Sequence, residues 1–247
     1  MTDERSVHGQ ADVVHLSEEA ATVEVLERAV AGLWDVVAEL TRLRRTRRTN
    51  YRVSIFGSAR TAPGVFPYDE VKRLAAELTV MGCDIITGGG PGLMRAANEG
   101  AASATAGATT RSVGVRVELP FEQEANPFVA EVYEHKTFFS RLHHFMIASD
   151  AFVVVPGGIG TLLELSMVWQ LLQVRKLRNT PLVVVGKMWG ELADWARAYM
   201  LRPGLALANA EDLAIPQCVA TVEETVAILR NSREQWLRQQ AANGRTK

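Results

Sequence analysis

Three glycine-rich segments, each placed directly after a short β-branched run, constrain the fold of this 247-residue chain more than any other feature. They are IFGSAR, with Gly57, Ser58 and Arg60; TGGGPGLM, with Gly88, Gly89, Gly90, Gly92 and Met94; and PGGIGTLLE, with Gly157, Gly158, Gly160 and Thr161. Apolar patterning predicts strands over Arg52–Phe56, Asp84–Thr87, Ser112–Val117, Val132–Glu134, Ala151–Val155, Leu182–Val185 and Leu213–Pro216. Helical patterns fill most of the intervals: Pro67–Met81, Pro91–Ala106, Phe138–Ala148, Thr161–Gln173 and Gly190–Leu201, with Thr221–Gln239 closing the chain. Strands joined by helical crossovers make a doubly wound α/β domain, its mostly parallel sheet covered on both faces. The runs FVVV and PLVVV are apolar at every position, as central strands of such a sheet must be.

The carboxyl ends of parallel strands share one edge of the sheet, the edge at which open α/β folds bind ligands. The three loops are therefore expected to line one crevice. Glycines there allow positive φ and bring backbone N–H groups close to a ligand, and a following helix N-terminus adds partial positive charge. Pro91 is expected in the first turn of its helix, and the Thr161 hydroxyl is available as a donor. Taken singly, each loop could be no more than a tight turn after a strand. GxGxxG does not follow the first strand and GxxxxGK[ST] is absent, which disfavours a dinucleotide-dependent dehydrogenase and a P-loop ATPase.

Two charged residues stand out. Glu164 interrupts the apolar stretch LLELSMVWQLL three positions after Thr161, so the two side chains share a helix face and the carboxylate needs a partner or a task. The helix N-terminus is expected to favour its ionised form. Arg141 lies near the start of the preceding helix among Phe138, Phe139, Leu142, Phe145 and Met146. It is either a surface charge lying on those side chains or a fixed fork for a phosphate or carboxylate. His143 and His144 are consecutive and diverge by about 100° on a helix, so they make a poor metal pair, and no HExxH spacing occurs. The stripe of Leu165, Val168, Trp169 and Leu172 suits either the core or a partner subunit.

Composition excludes more than it selects. With 47% hydrophobic residues, 22% charged residues and a net charge of -1, nothing in the balance attracts a polyanion or an anionic membrane. The run from Arg42 to Arg52 reads as a solvated, cationic helix end rather than a nucleic-acid patch. Cys83 and Cys218 are isolated and suit a reducing cytosol. The segment MTDERSVHGQADVVH lacks a leader pattern and no stretch has the length of an apolar membrane span, so a cytoplasmic protein is expected. Residues 1–16 are expected to be disordered, 17–50 to carry an amphipathic helix, and 51–247 to form the α/β domain that holds the glycine loops.

PGGIGTLLE resembles the PGGxGTxxE signature of the Lonely Guy family, the cytokinin riboside monophosphate phosphoribohydrolases once labelled lysine decarboxylases. SIFGSAR, TGGGPGLMRAANEGA, LPFEQEANPF and FFSRLHHFMIASDAFVVVPGGIGTLLEL extend the likeness over Tyr51 to Val185. The resemblance implies a Rossmann-like fold, a homodimer, and hydrolysis of AMP or an N6-modified AMP to free base and ribose 5-phosphate; no cofactor or metal is expected. Its catalytic arginine and glutamate fall on Arg141 and Glu164, and its phosphate and ribose loop on Gly157, Gly158, Gly160 and Thr161. The loops holding Gly57, Ser58, Gly88, Gly89, Gly90 and Met94 complete the expected substrate site, and Glu122 matches a further ligand-contacting glutamate. Many members carry Arg-Lys where this chain has Arg141-Leu142. Nothing marks Lys136, Lys176 or Lys187 as a Schiff-base lysine. The same fold also serves non-catalytic nucleotide or cofactor carriers, the alternative expectation.

Overall fold

The computed structural model describes residues 49–104, 109–118, 124–205 and 207–244, together with 23, 25–27 and 30. The chain divides into two units, Met1–Arg47 and Arg48–Lys247. In the first, the described residues are helical; the segment expected to be disordered and most of the expected helix over 17–50 lie outside the described residues.

The second unit holds strands β1 (Tyr51–Phe56), β2 (Cys83–Thr87), β3 (Ser112–Val117), β4 (Glu131–His135), β5 (Ala151–Val154), β6 (Leu182–Val185) and β7 (Pro216–Val219). Its helices are α1 (Phe66–Val80), α2 (Leu93–Ala104), α3 (Phe138–Ala148), α4 (Ile159–Gln173), α5 (Lys187–Met200), the single turn α6 (Ala210–Leu213) and α7 (Val222–Gly244). All seven strands are parallel, in the order β4-β3-β2-β1-β5-β6-β7. This is the Rossmann-like doubly wound sheet. β2 and β5 are buried along their whole length, because helices cover both faces and leave no polar side for an alternating pattern.

Two apolar layers flank the sheet. On one face Val53, Ile55, Ile85 and Val153 pack with Leu74 and Leu78 of α1, Ala97 of α2 and Leu229 of α7. On the other, Phe56, Ile86, Phe152 and Val154 pack with Phe145 of α3, Leu165 and Val168 of α4 and Trp189 of α5. Leu165 and Val168 are thus core residues. The chain builds outward from β1 through β2 and β3 to β4, then returns to the other side of β1 for β5. That reversal opens a crevice beyond the carboxyl ends of β1 and β5.

Two expectations fail locally. The helix expected from Pro91 begins at Leu93, because Gly92 has φ +67, a left-handed conformation no helical residue adopts. The strand expected over Leu213–Pro216 is instead the end of α6, capped where the Asp212 carboxylate accepts from the Asn209 N–H at 3.1 Å, and β7 starts at Pro216. Proline is tolerated there as the first residue of an edge strand.

Candidate functional site

At the strand reversal, backbone hydrogen bonds lace the three glycine loops together. The Ser58 N–H donates to the Pro156 carbonyl at 3.0 Å, and the Leu93 N–H donates to the Ser58 carbonyl at 2.7 Å. The fit leaves no room for side chains: a Cβ on Gly57 would come within 2.5 Å of Val155 Cγ2, and one on Gly92 would strike the Ser58 carbonyl. Met94 lies along the TGGG loop, its sulfur 2.5 Å from where a Gly88 Cβ would sit and its methyl carbon 2.9 Å from that of Gly90.

A buried polar cluster holds the TGGG loop from behind. Thr87 Oγ1 donates to Asn98 Oδ1 at 2.7 Å and accepts from the Gly89 N–H at 2.9 Å. Asn98 Nδ2 donates to Ser112 Oγ at 2.9 Å, and Asn126 Nδ2 reaches Asn98 Oδ1 and the carbonyls of Gly89 and Gly90 at 2.9–3.1 Å. Asn98 is fully buried, so its amide must be satisfied inside the protein. Sequence reasoning passed over Thr87, Asn98 and Asn126; the available signal was an asparagine on the otherwise apolar face of α2.

Glycines of the signature loop behave differently from one another. A Gly157 Cβ would collide with the Thr161 side chain, which is itself buried, so Thr161 packs on the loop. At Gly158, the N-cap of α4, and at Gly160, no protein atom lies within 4 Å of an added Cβ. The protein's own packing does not require glycine at those two positions.

Arg141 and Glu164 meet. Thr137 caps α3 by accepting from the Ser140 N–H at 3.2 Å, which sets Arg141 in the first turn, while Glu164 stands in the second turn of α4. Arg141 Nη1 is 3.2 Å from Glu164 Oε1, with the two side chains 14% and 10% exposed. Arg141 Nε donates to the Val115 carbonyl of β3 at 2.9 Å, and its guanidinium lies 5.2 Å from the Phe145 ring centre. Nη2 faces the glycine loop, 2.5 Å from where a Gly88 Cβ would sit. Leu142 is buried. Glu122 lies outside the described residues.

The expected ionisation of Glu164 is corrected. Burial raises its pKa from the usual 4.5 to about 7, and the charge and hydrogen bond of Arg141 offset this only in part. The folded protein therefore holds this proton more tightly than the unfolded chain. That stability is complete below about pH 4.5 and is lost as pH rises through about 7. Urea denaturation at pH 5 and pH 8 should show wild type losing on the order of 2–3 kcal/mol relative to Glu164→Gln. Parallel stability curves would remove the buried-carboxylate account.

Close by, His135 Nε2 and His144 Nδ1 share a hydrogen bond of 2.9 Å. Burial, and then the Arg141 charge, hold His135 below its usual value. No group of three or more metal-ligating side chains occurs among the described residues. Two hollows lie elsewhere: about 480 Å³ between α4, α5 and α6, and about 690 Å³ at the opposite edge of the sheet. Neither is lined by Arg141, Glu164 or the loop glycines.

The sequence profile of the family described as "Possible lysine decarboxylase" matches residues 94–229, more than half of the chain. The chain belongs to this family. Membership in the Lonely Guy, or possible lysine decarboxylase, family supports a nucleotide-related role. The match runs from Met94 through the Arg141–Glu164 pair and the PGGIGTLLE loop. Among curated proteins, none is significantly similar to the chain.

Solved structures share the architecture. The molybdenum cofactor carrier protein from Chlamydomonas reinhardtii is 20% identical with a TM-score of 0.54, over 74% of this chain and 98% of its own. The molybdenum cofactor binding protein of the phototrophic bacterium Rippkaea orientalis is 15% identical with a TM-score of 0.56, over 75% and 98%. DNA processing protein A from Helicobacter pylori, solved for its single-stranded DNA binding mode, is 18% identical with a TM-score of 0.50, over 75% and 82%. At these identities the likeness is one of fold. No described helix is long and apolar enough to cross a membrane.

Proposed function

We propose that this protein hydrolyses the N-glycosidic bond of a nucleoside 5′-monophosphate, AMP or an N6-modified AMP, to free base and ribose 5-phosphate. The observation that carries the reading is the buried contact between Arg141 and Glu164, at 3.2 Å, beside the glycine loops at the strand reversal. A charge pair so far from solvent is a poor device for stability alone, since desolvation cancels much of the attraction.

Cleavage at C1′ passes through an oxocarbenium-like sugar. Ionised Glu164 stabilises the positive charge that develops there and orients the water that attacks C1′, whose oxygen becomes the new hydroxyl of ribose 5-phosphate. The C1′–N9 electron pair leaves with the base, which takes up a proton. Arg141, braced by the Val115 carbonyl, holds Glu164 in place and partly ionised, and turns Nη2 toward the ligand loops. The open backbone of Gly158 and Gly160, at the N-terminus of α4, suits the 5′-phosphate. Two copies of the chain forming a homodimer, and a cytoplasmic location, belong to the same reading.

Incubation with AMP and with isopentenyladenosine monophosphate, followed by chromatography, should release free base from at least one; release from neither would sink the assignment. The carboxylate must be ionised to act, so kcat/KM should fall about tenfold per pH unit below about pH 7. Arg141→Gln should move that limb to higher pH, because it removes the charge that lowers the Glu164 pKa.

The second reading is a carrier that binds a nucleotide or cofactor without turnover, favoured by the shared architecture with two molybdenum cofactor proteins. Tight binding of AMP with no base released, in wild type and Glu164→Gln alike, would select it.

A further inference from the structure

A separate concavity opens at the same edge of the sheet, on the face covered by α1 and α7, with a volume of about 210 Å³. Val71 and Leu74 of α1, Val155 after β5, and Val222 of α7 are buried and make its floor; Pro156 and Gly186 make one wall. Pro156 immediately precedes the signature glycines, so this cavity borders the loop that carries them, while Arg141 and Glu164 do not line it.

Two carboxylates, bridged by one guanidinium, mark the mouth. Glu70 and Glu223 line it, and no lysine, arginine or histidine does. The neighbouring Arg73 bridges both, at 2.7 Å each, and also Glu77 at 3.1 Å, so one guanidinium serves three carboxylates and an excess of negative charge remains. Phe66 stands at the same mouth with its side chain turned out to solvent, 77% exposed. An apolar cavity of about 150 Å³ accommodates a benzene ring, so this one takes a single ring or a short branched alkyl group. Carboxylates at the rim and an aromatic face beside them both favour a cationic head.

We propose that the cavity between α1, α7 and the Pro156 turn binds small amphipathic amines, with a compact hydrocarbon group on the floor and one ammonium at Glu70 and Glu223. The test uses the full chain and benzylamine, followed by isothermal titration calorimetry. Benzylamine should bind with a dissociation constant in the millimolar range, as so small a ligand allows. Benzyl alcohol and benzoate should bind at least about tenfold more weakly, the first for want of charge and the second through repulsion. Phe66→Ala and Glu223→Gln, both at exposed positions, should each weaken benzylamine threefold or more, and Val222→Phe should abolish binding by filling the floor. If Val222→Phe fails to fold, the two surface variants carry the test. Glu164→Gln should bind benzylamine as wild type does, and saturating AMP should not displace it. No heat of binding at millimolar benzylamine, equal binding of benzyl alcohol, indifference to both surface variants, or displacement by AMP would each overturn the proposal.

Discussion

Glu164→Gln should reduce release of base from AMP by about 10²–10⁴-fold while leaving the protein folded. Glutamine keeps the size of the side chain and remains within reach of Arg141, so α4 and its contacts with α3 persist. What disappears is the negative charge. On the proposed function the buried carboxylate would face the sugar through a poorly screened field, which is why its loss should exceed the loss of an ordinary surface charge. The effect should appear in kcat more than in KM, because the charge at C1′ develops only on the way to the transition state. Circular dichroism and denaturant midpoints at pH 8 separate this from misfolding, since removing a buried ionised group there should not lower stability by the linkage already described. A Glu164→Gln protein that turns over AMP at the wild-type rate would show that the pair is architectural.

What could be read in the sequence follows from which interactions are local. FVVV and PLVVV announce β5 and β6 because a strand covered on both faces must be apolar throughout. The glycine loops are legible for a related reason: a tight turn after a parallel strand restricts residue type at fixed offsets. The start of α2 is not legible, since Pro91 satisfies a local rule for helix starts and only the approach of Gly92 to the Ser58 carbonyl, from a distant loop, delays the helix. Asn98 and Asn126 escape notice for the same cause. Their partners come from β2, β3 and two loops, so AANEGA sets an asparagine beside an apolar helix face without naming what it bonds. The Glu164 ionisation is the clearest case: the helix N-terminus is visible locally and favours the charged form, whereas the larger, opposing effect of burial depends on how α3, α4 and β3 close around it.

Alanine substitutions at Gly92 and Gly160 should have opposite consequences, and the contrast separates glycines that build the fold from those that leave a surface for a ligand. Gly92 has φ +67, which costs an L-residue about 1–2 kcal/mol, and its Cβ would meet the Ser58 carbonyl and the Ala59 backbone, neither of which can swing aside. Gly92→Ala should therefore lose about 3 kcal/mol or more, a large share of the ~5–15 kcal/mol typical of a folded domain. Much of the protein should then be insoluble or melt early. Gly160 lies in the first turn of α4 with no protein atom within 4 Å of an added Cβ, and alanine is the better helix former. Gly160→Ala should keep wild-type stability to within about 1 kcal/mol, or gain slightly. Yet its methyl group enters the open space that the proposed function gives to the 5′-phosphate, so on that proposal KM for AMP should rise at least about tenfold, a loss of roughly 1.4 kcal/mol of binding. Thermal melts and initial rates on the two variants decide the matter. A stable Gly92→Ala would mean that the loops are not laced as described, and an unchanged KM in Gly160→Ala would move the phosphate away from the N-terminus of α4.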